Sequence, residues 1–296
     1  MLKNDEGIAC LILNYNDWKT SRQLATVMEK YDVISYVVIV DNCSTDDSFG
    51  KLKKISTDKI HVIKSEKNGG YGYGNNFGIN YIHNNLQCKY ALICNPDIEI
   101  AEECICSLKQ TIEENERCVV TAPIQRMYSK DGKIVMPWRL GNKRESIFSM
   151  SIVFSKLLHI KLNYSEQEIK NKKIIYCDVM QGALLMADVD FMVGEGRYDE
   201  DIFLYNEEEC LAQNVKKNNK ESILVCNNYY LHHHSVSIDK SYKSLVAKKK
   251  LKLKSRMAYI DKYYDISKIN RVLIALFFWY CIFEMYIYQF GFRRRK

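Results

Sequence analysis

The chain has 296 residues, 47% apolar and 27% charged, enough for one large core or for a domain with an appendage. Only three prolines occur, which argues against long disordered linkers. The net charge of +7 is concentrated at the C-terminus: residues 241–296 hold 14 Lys/Arg against 3 Asp/Glu, and the other 240 residues sum to −4, so charge excludes the main domain as a nucleic-acid binder.

Residues 1–7 are polar and carry no signal-peptide pattern. IACLIL at 8–13 is a continuous apolar run, the mark of a strand buried on both faces, and a helical pattern follows near 18–31. YVVIV at 36–40, IHVI at 60–63, YALIC at 90–94 and VVTA at 119–122 read as further strands. Helical stretches at 48–55, 77–83 and 104–114 separate them. Such alternation predicts an α/β domain with a mostly parallel sheet covered on both sides. Residues 127–173 are irregular and polar, GALLMA at 182–187 returns to core-strand character, and 207–217 reads as a helix opening on three acids. Two short strands are expected within 223–233, and a basic helix begins near 243. The eleven cysteines include no CxxC pair, so they read as small buried hydrophobes in a reducing cytosol.

Chemistry-bearing residues fall at the strand ends. Strand one ends in Asn14, Tyr15 and Asn16. Strand two ends in Asp41, Asn42, Cys43 and Ser44. Strand three leads to a loop of Asn68, Gly69, Gly70, Gly74, Asn75 and Asn76, and strand four ends in Asn95, Pro96 and Asp97. In a parallel sheet these corners meet at one edge, where ligands bind. A nucleotide suits them: Asp41 can accept from a base N–H, Tyr15 can pack on a ring, and glycines permit close backbone approach. Ser44 also reads as an ordinary helix cap. Neither a dinucleotide fingerprint nor a GxxxxGK[ST] loop is present.

LILNYN, VDNCSTDDS, NGGYGYGNNFGI and CNPDIEI, in that order, resemble the successive signatures of glycosyltransferase family 2. The resemblance is closest to rhamnosyltransferase-like bacterial members that build surface polysaccharides. It continues through MQGALLMA (180–187), GRYDEDIFLYNEEE (196–209) and LHHHSVS (231–237). It implies a GT-A fold with a Rossmann-like central sheet, a dTDP- or UDP-sugar donor, a divalent metal (Mn²⁺ or Mg²⁺) and inversion at the anomeric carbon. Asn14, Tyr15, Asn16, Asp41, Asn42, Ser44, Asn68, Gly69, Gly70, Gly74, Asn75, Asn76 and Asn95 would then bind the donor nucleotide. Asp97 stands where the family holds its metal, with Asn95 replacing the first acid of an Asp-x-Asp pair. The family's base follows an FxLY run; here Phe203, Leu204 and Tyr205 lead to Glu207, Glu208 and Glu209. Spacing places Glu208 on the usual Asp and Glu207 before it, while Glu209 reads as a solvated acid of a first helical turn. Gly182 and Ala183 leave room for the acceptor or its sugar, and Asp199, in a loosened version of the family's GGFDE, is a candidate acceptor contact. Of His232, His233 and His234, alternation puts the first and third on one side, and the resemblance favours His234 at the metal or diphosphate.

These readings divide the chain into a catalytic domain, 1–240, and a tail, 241–296. The tail holds KKKLKLKSR, a 19-residue apolar block at 272–290 interrupted by Glu284, and RRRK. As a helix the block spans roughly 28 Å, the lower limit for a bilayer. A helix lying on an anionic membrane surface fits better than a span, and a homodimer contact is the third reading. The expected enzyme sits in the cytoplasm, peripheral at the inner face of the cell membrane, and acts on a lipid-linked or growing glycan of capsule, O-antigen or cell-wall type. Two same-fold alternatives remain open: a non-catalytic membrane-attached scaffold for glycan assembly, suggested by the altered acids, and a sugar-phosphate nucleotidyltransferase, whose basic glycine-rich N-terminal loop is missing at 11–19.

Overall fold

The computed structural model describes residues 7–129, 131–233 and 244–293. Ten strands form one sheet: β1 (Ile8–Asn14), β2 (Ile34–Asp41), β3 (Ile60–Lys64), β4 (Tyr90–Cys94), β5 (Ile98–Glu99), β6 (Cys118–Met127), β7 (Ile134–Val135), β8 (Ile174–Tyr176), β9 (Leu184–Asp188) and β10 (Glu221–His232). The order is β3-β2-β1-β4-β9-β6-β10-β5, with β7 on β6 and β8 on β10. Strand β1 is parallel to both β2 and β4, so the chain reverses its direction of winding at β1. Strand β9, which begins within the GALLMA segment, is antiparallel to both its neighbours, β4 and β6.

The continuous apolar runs are explained by burial on both faces. On one face Ile8, Cys10 and Ile12 of β1 meet Leu24 and Met28 of α1 (Trp18–Met28), Leu52 of α2 (Ser48–Lys53), and Ile105 and Leu108 of α4 (Glu102–Glu114). On the other, Ala9 and Leu11 meet Ile79 of α3 (Tyr71–Tyr81), Phe191 of α8 (Val189–Val193) and Leu211 of α9 (Glu207–Lys217). The period-two division of β1 between the two cores is what a strand requires.

Three elements differ from the sequence reading. Helix α3 starts at Tyr71 rather than 77 and runs on into a π-helical turn, Ile82–Leu86. YGYGNN has poor helix propensity, but packing overrides it: a Cβ on Gly74 would lie 2.4 Å from Leu13 Cδ1, and one on Gly78 2.3 Å from Leu11 Cδ1. Glu221–His232 make one long strand, with a register shift between Val225 and Tyr229, instead of the two expected within 223–233. The tail is also part of the body. Helices α10 (Leu245–Tyr263) and α11 (Lys268–Arg293) build a third core, in which Leu253, Ile260, Phe278 and Cys281 pack with Met150, Ile202 and Cys210. All eleven cysteines are free thiols, as expected.

Candidate active site

The winding reversal at β1 opens a crevice beyond the carboxyl ends of β1 and β4, the usual ligand position in an open α/β sheet. A cavity of about 560 Å³ occupies it. Its walls include Tyr15, Asn42, Asn68, Gly70, Asn95 and Asp97 from the strand ends, Gly182 and Ala183 before β9, and Glu207 and Glu208 at the start of α9. These ten were expected at the site; their functional roles are a separate matter.

Each wall has a local cause. After β4, Pro96 turns the chain, Asn95 N–H donates to Ala183 O at 2.8 Å, and β5 then runs antiparallel to the end of β10. The pairing of Ile98 with His232, and the bond from His233 N–H to Asp97 O at 2.9 Å, bring Asp97 Oδ1 to 3.3 Å from His232 Nε2. Gly70 has φ +95°, where only glycine is at ease, and a Cβ there would lie 2.1 Å from Phe203 O. Tyr71 N–H donates to that same carbonyl at 3.0 Å. Asn42 Nδ2 donates to Gly70 O at 3.0 Å and to Asn68 Oδ1 at 3.2 Å, which fixes the glycine corner.

On the opposite wall the Tyr71 hydroxyl donates to Gly182 O at 2.6 Å, and Gly182 N–H donates to Glu208 Oε1 at 3.3 Å. A Cβ on Gly182 would stand 3.0 Å from that oxygen, so glycine lets Glu208 lie against the chain. Tyr205 (φ 72°) and Asn206 (φ 75°) are both left-handed just before the acids, at a cost of about 1–3 kcal/mol each. The corner is held from behind. Ser255 Oγ of α10 donates to Leu204 O at 2.6 Å, and Glu209 accepts from Asn206 Nδ2 and from Trp138 Nε1. Glu209 also pairs with Arg256 of α10 at 2.7 Å, both side chains being buried. Glu209 is therefore an enclosed ion-pair partner and not the solvated acid expected. Burial, then the neighbouring Glu208 charge, holds the Glu207 carboxyl well above the usual carboxylate range. Burial also raises Glu208, against the favourable Gly182 N–H bond.

Several expected residues lie outside the cavity walls. Asp41 is fully enclosed: its carboxylate accepts from Asn14 Nδ2 at 2.9 Å and from Ser44 N–H at 3.0 Å, so it braces the corner from outside the cavity lining. Asn14 completes that knot through Ser44 Oγ and Ser21 Oγ, and Asn16 bonds to Ser44 and Thr45. Gly69 precedes the α3 corner, while Gly74, Asn75 and Asn76 sit inside α3. Asn76 Nδ2 ties α3 to Tyr198 O and to Glu200 at 2.9 Å each, and Asn75 Nδ2 bonds to Tyr71 O. Asp199 pairs with Lys262 of α10 at 2.7 Å and is not among the cavity's lining residues. His234 lies outside the described residues.

Sequence reasoning passed over other wall residues, among them Tyr71, Gln125, Gln181, Tyr205 and His232 as the foremost histidine. Gln125 sits within β6, where no strand-end signal marks it. His232 was visible as one of an alternating pair, but only its pairing with β5 puts it beside Asp97.

No group of three or more His, Cys, Asp or Glu side chains at metal-binding spacing occurs among the described residues. Asp97 and His232 offer one carboxylate and one imidazole, a donor set that suits a cation such as Mn²⁺ when a ligand's own oxygens complete the shell. The hydrogen bonds behind His232 allow it. The Tyr230 hydroxyl bonds to Gln125 Oε1 at 2.7 Å, and Gln125 Nε2 faces His232 Nδ1 at 3.2 Å. That orientation puts the imidazole proton on Nε2, towards Asp97. Turning the Gln125 amide over, with the Tyr230 hydroxyl accepting instead, moves the proton to Nδ1 and frees Nε2 to ligate.

The sheet order and the cleft at the winding reversal, with carboxylates on its two sides, are those of a GT-A fold. The chain belongs to glycosyl transferase family 2, whose signature matches residues 10–180, more than half its length. It is similar to the low-salt glycan biosynthesis hexosyltransferase Agl10 of Haloferax volcanii, with 31% identity over 128 residues, which is 43% of this chain and 38% of that protein. Among solved structures it resembles GalNAc-T7 with UDP, GalNAc and Mn²⁺ (TM-score 0.60, 15% identity, 78% of this chain and 44% of that one). It also resembles residues 1–349 of S. aureus TarS in complex with UDP-GlcNAc (TM-score 0.55, 16% identity, 90% of this chain and 70% of that one). At such identities the likeness is one of fold.

Proposed function

We propose that this chain transfers a hexose or deoxyhexose, such as rhamnose, from a UDP- or dTDP-sugar to a lipid-linked or growing glycan, with inversion, at the inner face of the cell membrane. The observation that carries the reading is that Asp97 and Glu208, more than a hundred residues apart, wall one cavity of nucleotide-sugar size. Glu208 is the base. It touches the cavity and accepts the Gly182 N–H, which favours its carboxylate, whereas Glu207 is more deeply enclosed and better suited to stay protonated. A raised pKa suits a base that takes the acceptor hydroxyl proton near neutral pH. Asp97 with His232 would hold Mn²⁺ or Mg²⁺, which supplies charge neutralisation at the leaving diphosphate. Asn42, Asn68 and the Gly70 corner would receive the donor.

The test is a thermal-shift screen of UDP- and dTDP-sugars with and without Mn²⁺, followed by transfer or donor hydrolysis with the best donor. Glu208→Gln should abolish turnover and leave nucleotide binding intact. Full turnover in that variant would remove Glu208 from the role, and a wild-type protein that binds donors but never cleaves them would point to the scaffold reading.

A further inference from the structure

Helix α11 turns two unlike faces outward and inward. Inward, Ile274, Phe278 and Cys281 are buried in the third core, and Phe277 packs on Phe148 and Phe154. Outward, Val272, Leu276, Trp279, Phe283 and Phe290 follow one another at spacings of three, four or seven and stay exposed, Trp279 at 68%. This is a continuous apolar stripe along the helix, flanked by Leu273, Tyr280 and Ile287.

Glu284, the lone acid of α11, is not on that stripe. Its carboxylate accepts from Ser151 Oγ and from the backbone N–H groups of Ile152 and Val153, at 2.8–3.1 Å. It thereby caps α6 (Ile152–Leu157) and docks that helix beside α11. Helix α6 adds exposed Ile152, Val153 and Leu157 next to the stripe. The charge that interrupts the apolar block and disfavours a span in the sequence thus serves as the cap of α6, and it recruits more apolar surface. Lys268 and Arg271 stand at the start of α11, Arg271 bound to Asp261 of α10 at 3.0 Å, and in sequence Arg293 is followed by Arg294, Arg295 and Lys296.

We infer that α11 and α6 together form a single membrane-docking platform, with α11 lying in the plane of the interface and its Trp279–Phe283 side embedded. The chemistry matches anionic lipid: an apolar and aromatic strip without acids, on a helix that opens at Lys268 and is followed in sequence by Arg and Lys. A transmembrane passage would strip Phe277, Phe278 and Cys281 from their core partners and break the Glu284 cap. The inference deepens the proposed membrane location of the enzyme and rests on it for its purpose. Its assay scores lipid binding alone, so failed docking and failed sugar transfer are read separately.

The full chain is floated with vesicles of phosphatidylcholine containing phosphatidylglycerol, and Trp fluorescence is followed. Wild-type protein should co-float, shift its emission to the blue, and come off in alkaline carbonate. Trp279→Glu with Phe283→Glu should cut vesicle binding by about tenfold or more while thermal unfolding is unchanged. Leu157→Glu, on α6, should weaken binding too, and Trp279→Phe should bind without most of the blue shift. Wild-type protein that ignores these vesicles, or that resists carbonate extraction as a spanning protein does, overturns the inference. So does a stable wild-type dimer that the double variant converts to monomer with no change in lipid binding.

Discussion

Replacing Arg256 with methionine isolates the contact that holds the acidic turn. Arg256 and Glu209 are 4% and 8% exposed, and the guanidinium Nη1 lies 2.7 Å from the carboxylate. Methionine fills much the same space but leaves Glu209 charged and enclosed, with Trp138 and Asn206 as its remaining side-chain donors among the described residues. Removing one partner of a buried pair costs about 3–5 kcal/mol, most of it the uncompensated charge. Equilibrium urea unfolding should report that loss as a lower midpoint with little change in slope. Arg256→Met combined with Glu209→Gln removes both charges and should recover most of it, to within about 1–2 kcal/mol of wild type. A single variant within about 1 kcal/mol of wild type, or a double variant no better than the worse single, would refute the claim that this pair is enclosed and mutually compensating.

The raised Glu207 carboxyl makes stability depend on pH. Its folded pKa lies above the ordinary 4.5, so the penalty for ionising it is absent below that value and grows as pH rises towards the folded pKa. Melting temperature should therefore fall from about pH 5 towards about pH 8 more steeply in wild type than in Glu207→Gln, and parallel curves would count against it. Gly70→Ala puts a methyl on Phe203 O at a positive φ and should cost more than about 2 kcal/mol or prevent folding, whereas a native urea midpoint would mean the corner is not closed as described. Gln125→Leu removes the partner of His232 Nδ1 and should weaken Mn²⁺ binding, titrated calorimetrically in the presence of UDP, by about tenfold or more; unaltered affinity would take His232 out of the cation site.

The strands were legible because burial on both faces forces continuous apolar runs such as IACLIL, and those runs fixed the order of the corners. Helix α3 was misjudged at its start because glycines lower propensity locally while permitting the close approach to Leu11 and Leu13 that stabilises it. The direction of β9 left no trace in GALLMA, since a strand buried on both faces reads alike either way. Asp41 and Asp199 looked available because their partners are other side chains. Asn14 lies 27 residues from Asp41, and Lys262 lies 63 from Asp199. Glu209 was misread for the same reason, Arg256 being 47 residues further on. Side-chain pairing at such range carries no periodicity, so one sequence alone could not disclose it.

The grip of α10 on the body suggests a way of handling the protein. Ser255 on Leu204, Arg256 on Glu209 and Lys262 on Asp199 are non-covalent, and the third core adds apolar contact across the same seam. Two polypeptides, 1–240 and 241–296, coexpressed without a peptide link, should reassemble as a split enzyme, while the first piece produced by itself should be left with an open seam and an unmoored acidic turn.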